Sequence, residues 1–235
     1  MKPLYIFRHI ACDKSGFLCH YLLQRNIPFE LICVAPDVPL DCDLSAASGL
    51  IFLGAAHSVN NPQSWINDEI KLIQRAASIN LPVMGVCFGG QLLTRALGGE
   101  VQKDEQMQVG WHPVNLTKEG KSLLAGTSLP DSFHAFEWHA ESFSLPPGAT
   151  PLFCDGDNHN QGYLHGNFLA MQFHLEMTGE LIETSLSHFA DCLPPACGSV
   201  QSNEQILLDS PRYLADMHRA AESIYGWWLE QYVKK

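Results

Sequence analysis

Apolar positions along the first hundred residues fall into short blocks, each followed by a longer stretch with helical spacing. Leu4-Tyr5-Ile6-Phe7 reads as a strand, and Gly16 to Gln24 as a helix that stops before Ile27-Pro28. Phe29 to Val34 and Gly49 to Leu53 read as the second and third strands. Ser64 to Ser78 has Trp65, Ile66, Ile70 and Ile73 on roughly one side, as an amphipathic helix should. Val83 to Val86 is apolar throughout, the mark of a strand buried on both faces, and Gln91 to Leu97 reads as a helix closed by Gly98-Gly99. This alternation predicts an α/β fold, a mostly parallel sheet with helices on both faces. Ligands of such sheets bind at the carboxyl ends of the strands.

From Glu100 onward the pattern changes. Val109 to Leu116, Phe133 to Phe143, Pro151 to Cys154 and Phe168 to Phe173 are strand-like, separated by turns such as Pro146-Pro147-Gly148. They are expected to extend one edge of the sheet, mainly antiparallel. Thr178 to Phe189 reads as a helix, and Leu193 to Ser199 as a break. Ser210-Pro211 then carries the signature of a helix start, serine as N-cap and proline at the first helical position. Leu214, Met217, Ala221, Ile224, Tyr225 and Trp228 give that last helix one apolar stripe, which packs back on the body or against a second copy in a homodimer. The expected organisation is one main domain over residues 1–190, then a linker and C-terminal helical extension over 191–235.

Composition narrows the function classes. An apolar content of 46% suffices for a packed core. A net charge of −11 disfavours nucleic acid, which needs basic surface. No run reaches the length of a membrane span and no secretory signal pattern opens the chain, so a membrane partner is not expected. Eight cysteines without a CxxC pair fit free thiols in a reducing cytoplasm. The histidines His57, His112, His134, His159 and His165 form no HExxH pattern and no spaced Cys/His set, so no metal and no cofactor is expected.

The candidate chemistry sits at Pro82-Val83-Met84-Gly85-Val86-Cys87-Phe88-Gly89-Gly90-Gln91-Leu92-Leu93. A strand that turns sharply into a helix holds its corner residue in a strained conformation with the side chain clear of the backbone. Glycines around the corner relieve the crowding. A cysteine there meets the positive end of the helix dipole, which favours the thiolate. The plain alternative is a buried cysteine ending a core strand, and the flanking glycines argue against it. A thiol nucleophile needs a base, and the base needs a third group to orient it. Gln172-Phe173-His174-Leu175-Glu176 supplies both: on a strand His174 and Glu176 share one face while Phe173 and Leu175 point into the core.

Taken together, Gly85-Val86-Cys87-Phe88-Gly89-Gly90-Gln91 and the later Gln172-Phe173-His174-Leu175-Glu176 resemble the class I (triad) glutamine amidotransferases. The branch most similar is that of the glutaminase domain of GMP synthase, and the likeness runs over about residues 1–190. It implies a flavodoxin-like three-layer sandwich and a Cys87–His174–Glu176 triad that hydrolyses the side-chain amide of glutamine through a γ-glutamyl thioester. It further implies oxyanion donors at the N–H groups of Phe88 and Ala55, on a loop that opens with Gly54. Gln91 would help hold the substrate, and so would the backbone of Trp138, His139 and Ala140.

The chain departs from the family pattern at Ala55 and Ala140, where glycine is usual, and at Ala56, where proline is frequent. A positive φ at residue 55 would cost alanine about 1 kcal/mol and leave the oxyanion hole misaligned. The expected activity is glutamine amide hydrolysis that releases ammonia, with a separate synthase subunit as a candidate partner to receive it. Two alternatives stand beside it: a stand-alone hydrolase of γ-glutamyl peptides or conjugates, and a catalytically weakened binding or regulatory module of the same fold.

Overall fold

The computed structural model describes residues 1–10, 16–35, 40 and 42–233. Among the described residues, nine strands form one sheet in the order β2-β1-β3-β4-β9-β8-β7-β5-β6. They are β1 (Leu4–Arg8), β2 (Phe29–Cys33), β3 (Gly49–Phe52), β4 (Val83–Val86), β5 (Val101–Leu116), β6 (Ser132–Phe143), β7 (Thr150–Cys154), β8 (Asn160–His165) and β9 (Phe168–Met171). The first five in that spatial order pair in parallel, and the rest join antiparallel. The fold is the flavodoxin-like α/β sandwich that the sequence implies. One strand expected in the antiparallel edge lies elsewhere: β9 pairs parallel with β4 and completes the inner sheet.

Six α-helices of the described residues complete the layers: α1 (Gly16–Gln24), α2 (Ser64–Ser78), α3 (Phe88–Ala96), α4 (Lys118–Leu123), α5 (Gly179–His188) and α6 (Asn203–Trp228). Strand alternation splits the core in two. Leu4 and Ile6 of β1 pack with α1, α5 and α6 on one face, through Leu22, Ile182, Ile224 and Trp228. Tyr5 and Phe7 pack with α2 and α3 on the other, through Ile66, Ile73, Leu92 and Leu93. Both faces of the parallel sheet are thus buried, which is why its strands read as continuous apolar runs. On α2 the inward residues include Trp65, Ile66 and Ile73 as expected, but Ile70 is only half-buried and Leu72 and Glu69 turn inward instead.

Several boundaries differ from expectation; β5, for one, begins at Val101 rather than Val109, its polar first half held by pairing with β6. The last helix starts eight positions before Pro211, capped by Ser202, whose hydroxyl accepts from the Gln205 N–H at 3.1 Å. Pro211 lies inside α6, and the turn before it is anchored from outside: the indole N–H of Trp111 reaches the carbonyl of Ile206 and the hydroxyl of Ser210. The stripe on α6 packs back on the body, where Met217, Ala221, Ile224 and Trp228 are buried. Helix α3 begins directly after Cys87, with Gly89 and Gly90 in its first turn. Those glycines serve close packing: a Cβ on Gly89 would lie 2.0 Å from the carbonyl oxygen of Phe52, and one on Gly90 would lie 2.9 Å from that of Met171. Finally, β9 ends at Met171, so His174 is not on a strand; the chain bends on either side of it and is tied at an isolated bridge, the His174 N–H to the Phe136 carbonyl at 2.8 Å.

Candidate active site

A cavity of about 530 Å³ opens at the carboxyl ends of the parallel strands. Several parts of the chain build it: Ile10 after β1, the loop after β3, the corner between β4 and α3, Lys103 and Met107 of β5, the middle of β6, and the segment from His174 through α5 to Cys192.

The corner holds Cys87 at φ 52° and ψ −111°, a left-handed region that an L residue enters only under strain. Packing forces the conformation. The Cys87 N–H is tied to the Met171 carbonyl at 2.8 Å, while the Cys87 carbonyl accepts the Gln91 N–H at 2.9 Å. Gly85 admits the sharp reversal, since a Cβ there would meet the Gly89 carbonyl oxygen at 2.4 Å. The sulfur faces the cavity, 3.8 Å from the carbonyl of Trp138. Phe88 is the first residue of α3, so its N–H is one of the donors that a helix start leaves unpaired.

His174 and Glu176 project to the same side, with Nδ1 of the ring 2.6 Å from Oε1 of the carboxylate. Phe173 and Leu175, before and between them, are fully buried, so the expected alternation survives without the strand. Burial alone would push the His174 pKa down. The Glu176 charge, then that of Cys87, and the hydrogen bond to Glu176 overcome it and hold the imidazole well above its ordinary value. Nε2 of His174 is buried with no hydrogen-bond partner of good geometry, so the pull of Cys87 is chiefly that of a nearby charge. The structure therefore brings the three predicted side chains to one cavity.

The other predicted residues line the same space. Gly54, Ala55, Phe88, Gln91, Trp138, His139 and Ala140 all contribute to its walls. Gly54 leaves room for the imidazole: a Cβ there would come within 3.2 Å of the His174 ring. Ala55 is not among the residues with positive φ, so alanine at this position carries none of the expected backbone strain. Gln91 donates from its side-chain amide to the Glu141 carbonyl at 2.9 Å, and Ser58 donates to the Glu141 carboxylate at 2.7 Å.

Sequence reasoning misses two buried groups behind the site. His9 at the end of β1 places Nδ1 3.2 Å from the Gly54 carbonyl and Nε2 2.9 Å from Glu69 on α2, and its ring packs against Phe88. The loop carrying Ala55 is thereby tied to α2 from behind. Glu137 on β6 is also buried, 3.5 Å from Nε2 of His139, and its Oε2 has no hydrogen-bond partner. Burial pushes its carboxyl up to about 7 against the opposing pull of His139 and His174. A glutamate inside the apolar alternation of β6, and one on the inward stripe of α2, are the signals available.

Residues 15–189 match the model of the glutamine amidotransferase class-I family. The chain belongs to that family. Among its relatives is a glutamine-hydrolyzing GMP synthase subunit of Sulfolobus acidocaldarius, 29% identical over 72% of this chain and 89% of the relative. Gamma-glutamyl peptidase 4 of Arabidopsis thaliana is 27% identical over 62% of this chain and 60% of its own length. The crystal structure of a glutamine amido transferase from Methylobacillus flagellatus superimposes with a TM-score of 0.89 at 31% identity, covering 98% of this amidotransferase-family chain and 95% of the other.

Among the described residues, no group of His, Cys, Asp and Glu is arranged to hold a metal ion, and no helix is long and apolar enough to cross a membrane.

Proposed function

We propose that this class-I glutamine amidotransferase family member is a cysteine hydrolase of γ-glutamyl amides, glutamine among them, with Cys87 as nucleophile. The observation that carries the reading is the convergence of the Cys87 sulfur with a His174 imidazole braced by Glu176, in one cavity at the strand ends. Cys87 attacks the amide carbon, and the charge that develops on the oxygen meets the N–H groups of Phe88 and Ala55. Two fixed donors of this kind lower a barrier by several kcal/mol. His174, oriented by Glu176, passes its proton to the departing nitrogen. Water activated by the same imidazole then hydrolyses the thioester, releasing glutamate and restoring the thiol.

The far end of the cavity suits the amino-acid head of the substrate. Glu141 and Lys103 stand opposite each other across β5 and β6, and both line the cavity with Gln91 and Ser58. A carboxylate and an ammonium in cross-strand register are complementary to the α-ammonium and α-carboxylate of glutamine. Trp138, His139 and Ala140 support it through their backbone. If ammonia is handed on, a separate synthase chain receives it; the relative named as part of a GMP synthase motivates that partner. The relative named gamma-glutamyl peptidase motivates the stand-alone alternative.

Glutamine and γ-glutamyl peptides are incubated with the native protein and with Cys87→Ala, and released ammonia and amine are measured. The expected result is turnover by the native protein only, with a γ-diazoketone analogue of glutamine attached to Cys87. Absence of both turnover and labelling would return the protein to the class of binding modules.

A further inference from the structure

The cavity is larger than a glutamine requires. Glutamine has ten non-hydrogen atoms, and at no more than about 30 Å³ each, the share of a water molecule in the liquid, they fill at most about 300 Å³. The cavity holds about 530 Å³. Past His174 along α5, Met107, Met177, Leu181 and Phe189 form apolar walls with the ring of Trp138, which meets Phe189 edge-on at 6.0 Å, and the smaller Thr184 and Ser185 complete them.

Chemistry decides what lies there. The scissile nitrogen must sit at Nε2 of His174 to receive its proton, and that atom is buried and unpartnered. With the amino-acid head held as proposed above, the γ-glutamyl side of the bond lies toward Gln91 and Glu141, so anything attached to the nitrogen leaves on the opposite side. From His174 the chain runs through Glu176 and Met177 into α5, so that side is the apolar arm. For glutamine, whose leaving group is ammonia, these walls would enclose nothing.

We propose that the arm along α5 is a subsite for the amine portion of the substrate, and that the preferred substrates are γ-glutamyl peptides or conjugates whose amine carries a large apolar side chain. The inference rests on the cysteine-hydrolase reading above and specifies its substrate class. The step balances within the site: the S–C bond to Cys87 forms as the C–N bond breaks, the amine departs with the proton from His174, and one water hydrolyses the thioester. Burial of an apolar side chain against such walls favours binding in proportion to the area removed from water.

The test uses the native protein and a series of compounds, glutamine, γ-Glu-Gly, γ-Glu-Leu and γ-Glu-Phe, with kcat/KM measured for release of the amine. The expected outcome is a rise of at least tenfold from γ-Glu-Gly to γ-Glu-Phe. Ser185→Trp, which narrows the arm from α5, is expected to cut the ratio of the γ-Glu-Phe value to the γ-Glu-Gly value at least fivefold. A flat series, or one with glutamine foremost, overturns the subsite while leaving Cys87 as the nucleophile. If no compound is cleaved and the diazoketone fails to label Cys87, the cysteine-hydrolase reading falls and the subsite with it.

Discussion

His174 stands between two negative partners, and that sets the pH behaviour expected of the reaction. The Glu176 carboxylate and the Cys87 thiolate hold its proton well above the usual range for histidine, against the cost of burial. An imidazolium needed as proton donor is then retained through neutral pH, so the alkaline fall of kcat/KM should lie well above pH 6.5. In Glu176→Gln that fall should move to lower pH and kcat/KM should drop by about a hundredfold, read from a pH–rate profile. Glu137 gives the opposite kind of signal, in stability. Its folded pKa of about 7 lies above its ordinary 4.5, so the stability linked to its neutral form is full below about pH 4.5 and is lost as pH rises through 7. His139, His174 and Asp155 are the charged neighbours that act on it. Glu137→Gln should therefore be the more stable protein at pH 8, by up to about 3 kcal/mol in urea unfolding, and should lose that advantage by pH 4.5. Cys87, His174 and Glu176 are legible in the sequence because a glycine-rich corner and a two-residue spacing are local patterns. Glu69 and Glu137 are not, because what makes them informative is burial against His9 and His139, and burial is a property of the fold.

The elements that sequence places well are those whose register is set by their own residues. Helix α2 is located to the residue, and β1, β3 and β4 to within one, since each is an unbroken apolar run or a clear helical stripe. Those it misses depend on neighbours: β8 and the first half of β5 are rich in polar residues and are held by pairing with β9 and β6. The start of α6 is hidden for a similar reason. Ser210-Pro211 is a valid start signal, but Trp111 grips the preceding turn, and Ser202 supplies the cap. Proline inside a helix removes one hydrogen bond and crowds the turn before it. Pro211→Ala should thus stabilise the protein by about 2 kcal/mol, seen as a higher Tm. Gly89→Ala should do the reverse. Its Cβ would collide with the backbone of Phe52 at 2.0 Å, pushing α3 off the sheet and Cys87 out of place. A loss of at least about 2 kcal/mol is expected, together with loss of diazoketone labelling.

At the scale of the molecule, α6 is part of the core. Met217, Ala221, Ile224 and Trp228 are buried in the same cluster as β1, β3 and β4, and the Trp228 indole N–H donates to the carbonyl of Asn167 at 3.2 Å. A chain cut after residue 190 should fail to fold cooperatively, losing near-ultraviolet circular dichroism and binding an apolar dye, whereas a separable extension would leave the rest intact. The parallel sheet is also assembled from segments distant in sequence, so its closure is slow compared with helix formation. During synthesis, the part of that sheet's face covered by α6 stays bare until residue 228 has cleared the ribosome, with α1 and α5 covering the rest. For that interval the nascent protein presents a broad greasy surface to the crowded cell, and helpers that shield such surfaces should influence its yield more than its final stability.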